Sequence, residues 1–167
     1  MPTEDSIQSA IQRQPLLAFS LYTACHVQAL ERKAEELEKI SSNWSNGPIT
    51  DFDIYYDDFW FWTLGAYEVI RTMSQHKNCF SEEVSCQIDC VKKQLAQLRM
   101  PFAKQELRGE RGAIYGENSV IGFDARMVFR VEGEDINSSA LVRTVMNFLK
   151  SIKLSDITAH IPKAPPN

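Results

Sequence analysis

The sequence predicts a mainly α-helical fold, an antiparallel bundle of about four helices with a small β-hairpin before the last of them. Three observations carry this. Long stretches repeat apolar residues at steps of three and four, one later stretch alternates them at every second position, and helix-breaking residues collect between such segments. A chain of 167 residues that is 44% hydrophobic and 24% charged has the usage of a globular domain. At this size one core buries roughly 70% of the unfolded surface. Residues 1–153 therefore read as a single domain, and residues 154–167, closing in "HIPKAPPN", as a flexible proline-rich tail.

Ile7, Ala10 and Ile11 place a short helix between Thr3 and Arg13, and Pro15 interrupts it. From Pro15, a favoured first helical residue, a long amphipathic helix runs to Ile40 with Val27, Leu30, Ala34 and Leu37 on one face. "SSNWSNGPIT" is the first clear loop. A second long helix spans Asp51 to Arg71, with Phe52, Tyr56, Phe59, Thr63, Ala66, Ile70 and Met73 as one stripe and Trp60, Leu64 and Tyr67 as another. Apolar around much of its circumference, it belongs at the centre of the fold. Ser81 caps the next helix, Glu82 and Glu83 suit its positive end, and Val84, Ile88, Val91, Leu95 and Leu98 repeat at steps of four and three. The two central helices pack antiparallel across the short "HKNC" connection.

After Pro101 the pattern changes. "PFAKQELRG" has room for two helical turns and "GERGAIYGENS" is glycine-rich, whereas Ile121, Phe123, Ala125, Met127, Phe129 and Val131 alternate as a strand does. "GAIY" is the expected antiparallel partner across the turn at Gly116, which puts the hairpin near 113–131. An isolated ribbon is marginal in water, so it must pack on the helices or pair with another chain. A last helix, about Ser138 to Lys153, presents Leu141, Val145, Phe148 and Ile152 on one face.

The formal charge of −4 gives no whole-molecule attraction to phosphate, so a nucleic-acid role would need a local basic patch. The N-terminus lacks the basic and apolar regions of a secretion signal, and no apolar run is long enough to span a bilayer, so a cytoplasmic protein without a membrane partner is expected. Signatures of the common hydrolase, dinucleotide, nucleoside-triphosphate and zinc-peptidase sites are absent from the sequence.

Chemistry-bearing residues concentrate in "YEVIRTMSQHKNCFSEEVSCQIDC", residues 67–90. Arg71 and His76 stand as R-x4-H, which resembles the motif of the HEPN family (higher eukaryote and prokaryote nucleotide-binding), helical proteins many of which cut RNA as toxins. The resemblance covers these six positions and the helical architecture. It implies that Arg71 holds the scissile phosphate and His76 moves protons, often with two subunits sharing the site. The residue after the arginine is usually polar in the family, and Thr72 fits this loosely. Five positions along a straight helix are about 140° apart, so the pair shares a site only where the helix ends or bends near Ser74. The structural reading instead places Arg71 against Tyr67 one turn earlier and His76 at a helix C-terminus favoured by the dipole.

Cys79, Cys86 and Cys90 follow a C-x6-C-x3-C spacing that departs from structural zinc sites, so no metal and no cofactor is expected. Cys86 and Cys90 fall opposite the Val84, Ile88, Val91 stripe, where reduced thiols would fill a second buried face or a subunit contact. Asp51, Asp53, Asp57 and Asp58 read as an acidic first turn over a positive helix end. Arg99, Lys104, Arg108 and Arg111 form the basic cluster where an anion would be sought, diluted by Glu106 and Glu110.

Together these features give the expectation of a non-catalytic helical interaction or binding module that self-associates and takes a protein partner. Two further classes stand beside it. One is a HEPN-like ribonuclease, or an inactive relative, acting on nucleic acid through Arg71 and His76. The other is a small-ligand sensor with an aromatic pocket of Trp60, Trp62 and Tyr67.

Overall fold

The computed structural model describes residues 4–44, 51–104, 120–122, 127–131 and 133–162. Among them five α-helices, α1 (Glu4–Arg13), α2 (Leu21–Trp44), α3 (Phe52–Gln75), α4 (Glu82–Lys104) and α5 (Ser138–Ser151), accompany three short strands, β1 (Val120–Gly122), β2 (Val128–Val131) and β3 (Glu134–Asn137). The fold is mainly α, with its small antiparallel sheet immediately before the last helix. No helix among the described residues is long and apolar enough to cross a membrane.

Local chemistry sets most helix ends. Asp51 occupies the N-cap position of α3 in a left-handed conformation, φ 60°, which an aspartate tolerates better than a branched residue. The Ser81 hydroxyl accepts from the Val84 amide at the start of α4, and the Asn137 side chain accepts from the Ala140 amide, 2.9 Å away, at the start of α5. At α2 the expected boundary moves. Pro15–Leu17 forms only a single 3₁₀ turn, and the long helix begins after Ser20, whose hydroxyl accepts from Thr23 N–H. A serine N-cap is a stronger start signal here than a proline followed by two leucines. Residues 101–104, where helical turns are expected to have room, continue α4 through Pro101. This proline lies inside α4, where it cannot donate to the Gln97 carbonyl one turn earlier.

α3 is the central element. Trp62 donates its indole N–H to the Leu30 carbonyl, 3.1 Å, Lys33 pairs with Asp58 at 3.1 Å, and the Trp44 and Tyr55 rings lie 4.8 Å apart. Residue number rises on one helix as it falls on the other, so α2 and α3 run antiparallel. On the opposite side Lys92 reaches Ser74, Arg99 reaches Tyr67, and the Trp60 indole donates to the Phe102 carbonyl, giving an antiparallel α3–α4 pair. The side chains that bury α3 are Tyr55, Phe59, Trp62, Thr63, Ala66, Val69, Ile70 and Met73. A second buried stripe is Tyr55, Trp62 and Val69, with Tyr55 meeting Trp44 and Ser138 and Trp62 meeting Leu30, whereas Trp60, Leu64 and Tyr67, expected to form it, are half-buried.

The sheet has the order β1-β2-β3, antiparallel throughout, with Val128 opposite Asn137 and Val131 opposite Glu134. Gly133, at φ 83°, makes the tight β2–β3 turn that only glycine adopts freely. The expected long strand 121–131 is therefore broken, and the described partners of β2 are β3 on one side and β1 on the other. The pairing proposed for "GAIY" lies outside the described residues. Met127, Phe129 and Val131 are buried, and the Phe129 ring lies 5.4 Å from Phe59 and 5.3 Å from Phe102. The ribbon thus covers its apolar face on α3 and α4 of its own chain. A buried hydrogen bond of 2.8 Å between the Tyr55 and Ser138 hydroxyls joins α3 to the start of α5.

Residues 154–161, expected to belong to a flexible tail, are pinned by the backbone. Ser81 N–H donates to the Asp156 carbonyl at 2.7 Å, Thr158 N–H to Cys79 at 2.8 Å and Ile161 N–H to Phe19 at 3.0 Å. They cover the 76–81 connection and bury Cys79 and Phe80, which is why an apparently polar tail orders here.

Candidate functional site

Between α3 and α4 lies a groove of about 300 Å³ lined by Tyr67 from α3 and Asp89, Lys92, Lys93, Ala96, Arg99 and Met100 from α4. Positions 89, 92, 93, 96, 99 and 100 follow the helical repeat, so one face of α4 delivers them all. The Arg99 guanidinium sits over the Tyr67 ring, 5.3 Å from its centroid, and its Nη1 points to the Met100 sulfur at 3.2 Å. Lys92 donates to the Ser74 hydroxyl at 3.1 Å. Asp89 is drawn to Lys77 at 2.7 Å. None of the ion pairs among the described residues uses Lys92, Lys93 or Arg99.

A second concavity, about 280 Å³, lies between α2 and α5 and differs in its electrostatics. Glu31, Glu35 and Glu38 line it with Arg143 and Lys150. Lys150 bonds Glu31 at 2.7 Å, and its ammonium is held above the usual lysine range by that hydrogen bond and by the three glutamates, against the opposing effect of burial. Its central cation is already neutralised, so this groove offers less to a charged ligand than the α3–α4 groove does.

The residues singled out from sequence distribute as follows. Arg71 donates its Nε to Glu68 at 2.6 Å, so its carboxylate neighbour holds it and the ring of Tyr67 is taken by Arg99 instead. α3 does end just after Arg71, at Gln75, with His76 as its C-cap residue donating its N–H to the Met73 carbonyl. The His76 ring makes no hydrogen bond among the described residues, and none joins it to Arg71. Trp60, Trp62 and Tyr67 do not line one pocket. Trp62 is buried under α2, whereas Trp60 and Tyr67 face α4, because two residues apart on a helix is about half a turn.

Of the basic cluster, Arg99 is in the groove, the Lys104 side chain is not described, and Arg108 and Arg111 lie outside the described residues. The cysteine expectation is corrected in part: Cys79 is buried, but Cys86 and Cys90 are exposed, as is Cys25. Cys86 and Cys90 lie opposite the buried Val84, Ile88, Val91 stripe of α4. Burial raises the Cys79 thiol above its ordinary pKa. Among the described residues no group of three or more His, Cys, Asp or Glu side chains is arranged to hold a metal ion.

Sequence reasoning missed Lys92 and Lys93. Their signal was the helical spacing to Arg99, but choosing them over the basic residues after Pro101 required knowing which edge of α4 meets Tyr67. No protein-family model matches the chain, and neither the curated proteins nor the solved structures contain a match to it.

Proposed function

We propose that the chain is a non-catalytic helical interaction module that self-associates through the outer face of α3. The observation that supports this is the exposure of two large apolar side chains seven residues apart on that helix, Ile54 at 54% and Phe61 at 63%. Half-buried Trp60 and Leu64 extend the patch, and the Trp60 and Phe61 rings lie 4.6 Å apart. Ile54, Asp57, Phe61, Leu64, Glu68 and Arg71 follow the alternating three and four spacing of a helix–helix seam. A second copy is the occupant that fits. Phe61 and Leu64 lie at the middle of α3, so a two-fold axis there sets Phe61 of one copy against Leu64 of the other. The same register sets Ile54 of one copy beside Arg71 of the other and Asp57 beside Glu68, whose carboxylate is held by Arg71 within its own copy.

The sheet and the outer face of α4 are not needed for this reading, since the ribbon is covered by its own chain and the Cys86–Cys90 face of α4 is polar. Light scattering on the purified protein tests it. The expected mass is about twice the chain mass of 19.1 kDa, and a monomer at high micromolar concentration contradicts it.

A further inference from the structure

We infer that the α3–α4 groove binds a small phosphate monoester, with the phosphate on Lys92, Lys93 and Arg99 and the ester's apolar body against Tyr67, Ala96 and Met100. This site is separate from the self-association proposed above and does not depend on it. Three independent features of the groove point to the ligand.

The first is unspent charge. In a chain of net charge −4, these three cations share one concavity without a carboxylate partner among the described residues. The one carboxylate that lines the groove among the described residues, Asp89, is already engaged by Lys77. Three like charges on adjacent turns of one helix repel one another, and a dianion placed between them removes that repulsion.

The second is preorganisation. The Tyr67 ring and the Met100 sulfur fix the plane of the Arg99 guanidinium while occupying few of its five N–H donors, so a fork remains for two oxygens of one phosphate. Lys92 is held by Ser74 through one of its three donors and keeps the others. A phosphate monoester, with three oxygens and nearly two charges, matches such a set better than a carboxylate does.

The third is shape and polarity. A volume of about 300 Å³ exceeds what a bare phosphate fills and sits at the small end of ordinary ligand pockets. Ala96, Met100 and the free part of the Tyr67 ring supply an apolar wall next to the charged end, which suits an ester with a flat or apolar body.

Calorimetric titration of the whole chain with inorganic phosphate, phenyl phosphate, phenol and a single-stranded RNA oligonucleotide tests the assignment. Phenyl phosphate is expected to bind more tightly than inorganic phosphate, and phenol not at all at millimolar concentration. Arg99→Gln and the double variant Lys92→Gln/Lys93→Gln should each weaken phenyl phosphate by about tenfold or more, the loss expected for a charged hydrogen bond. Lys39→Gln, on the exposed face of α2, should leave binding unchanged. Circular dichroism checks that each variant is folded, and the lysine pair, which makes no ring contact, keeps the test open if Arg99→Gln unfolds. Four results would each overturn the proposal: no binding of either phosphate; equal binding of the two phosphates; binding that survives in the folded lysine variant; or binding of a single-stranded RNA oligonucleotide without binding of phenyl phosphate.

Discussion

The guanidinium of Arg99 on α4 lies over the ring of Tyr67 on α3, 5.3 Å from the centroid, and so joins the two longest-packed helices at a point where both side chains are half-buried. A cation over an aromatic face at such a site contributes about 0.5–2 kcal/mol. Tyr67→Phe keeps the face and is expected to leave stability nearly unchanged, whereas Tyr67→Leu keeps apolar bulk but loses the face. Urea denaturation should place the leucine variant below the phenylalanine variant by about that amount. Equal midpoints for the two would show that the ring's π-face contributes nothing.

A buried hydroxyl gives a second prediction. The Thr63 Oγ1 atom is fully buried and has no hydrogen-bond partner among the described residues. Leaving such a group unsatisfied costs about 1–3 kcal/mol, and valine has the same branched shape without the hydroxyl. Thr63→Val is therefore expected to be neutral or stabilising by up to about 1 kcal/mol in thermal or chemical unfolding. A clear loss of stability would mean that the hydroxyl has a partner.

The four cysteines should separate by reactivity. Cys25, Cys86 and Cys90 are exposed, while Cys79 is buried beneath residues 154–161 with its thiol pKa raised by desolvation. Reaction with a thiol-specific disulfide reagent at neutral pH should consume three equivalents quickly and the fourth only on unfolding. Cys79→Ser should abolish the slow phase and leave the fast one intact. A fourth thiol reacting as fast as the rest would contradict the seating of the C-terminal segment.

How far the sequence could be read depended on whether a signal was local. The N-caps Ser81 and Asn137 act within one turn, and the helices they start lie close to where periodicity places them. Pro101 is the opposite case: its local tendency to end a helix is overridden because it is buried and the next residue, Phe102, packs on Phe59 and Phe129 and accepts the Trp60 indole. The angular argument placing Cys86 and Cys90 opposite the apolar stripe was correct, but whether anything covers that side is a tertiary question. The groove was half legible for the same reason. Arg99 stood out as a basic residue, while its pairing with Tyr67 and its company of Lys92 and Lys93 depend on the α3–α4 register.

On the sheet, pH dependence follows from one cross-strand pair. Arg130 and Asp135 face each other on β2 and β3, with two hydrogen bonds of 2.7 and 3.0 Å. The guanidinium holds the Asp135 carboxyl below its usual range, chiefly by hydrogen bonding. A carboxylate with a depressed folded pKa contributes stability above its unfolded pKa and loses it as pH falls through the folded value. The melting temperature of Asp135→Asn should accordingly lie slightly below that of the wild type at neutral pH, and the difference should close in strong acid. A difference that persists unchanged in acid would assign the effect to something other than the ion pair.

Self-association through α3 is the central claim, and Phe61 tests it most directly because its side chain is largely exposed within one copy. Sedimentation equilibrium of the wild type and of Phe61→Glu, with circular dichroism to confirm equal helix content, is the decisive measurement. The account predicts a dimeric wild type and a folded, monomeric Phe61→Glu, since a charge buried without a partner at the dyad costs several kcal/mol. A monomeric wild type, or a Phe61→Glu variant that remains dimeric, would contradict it.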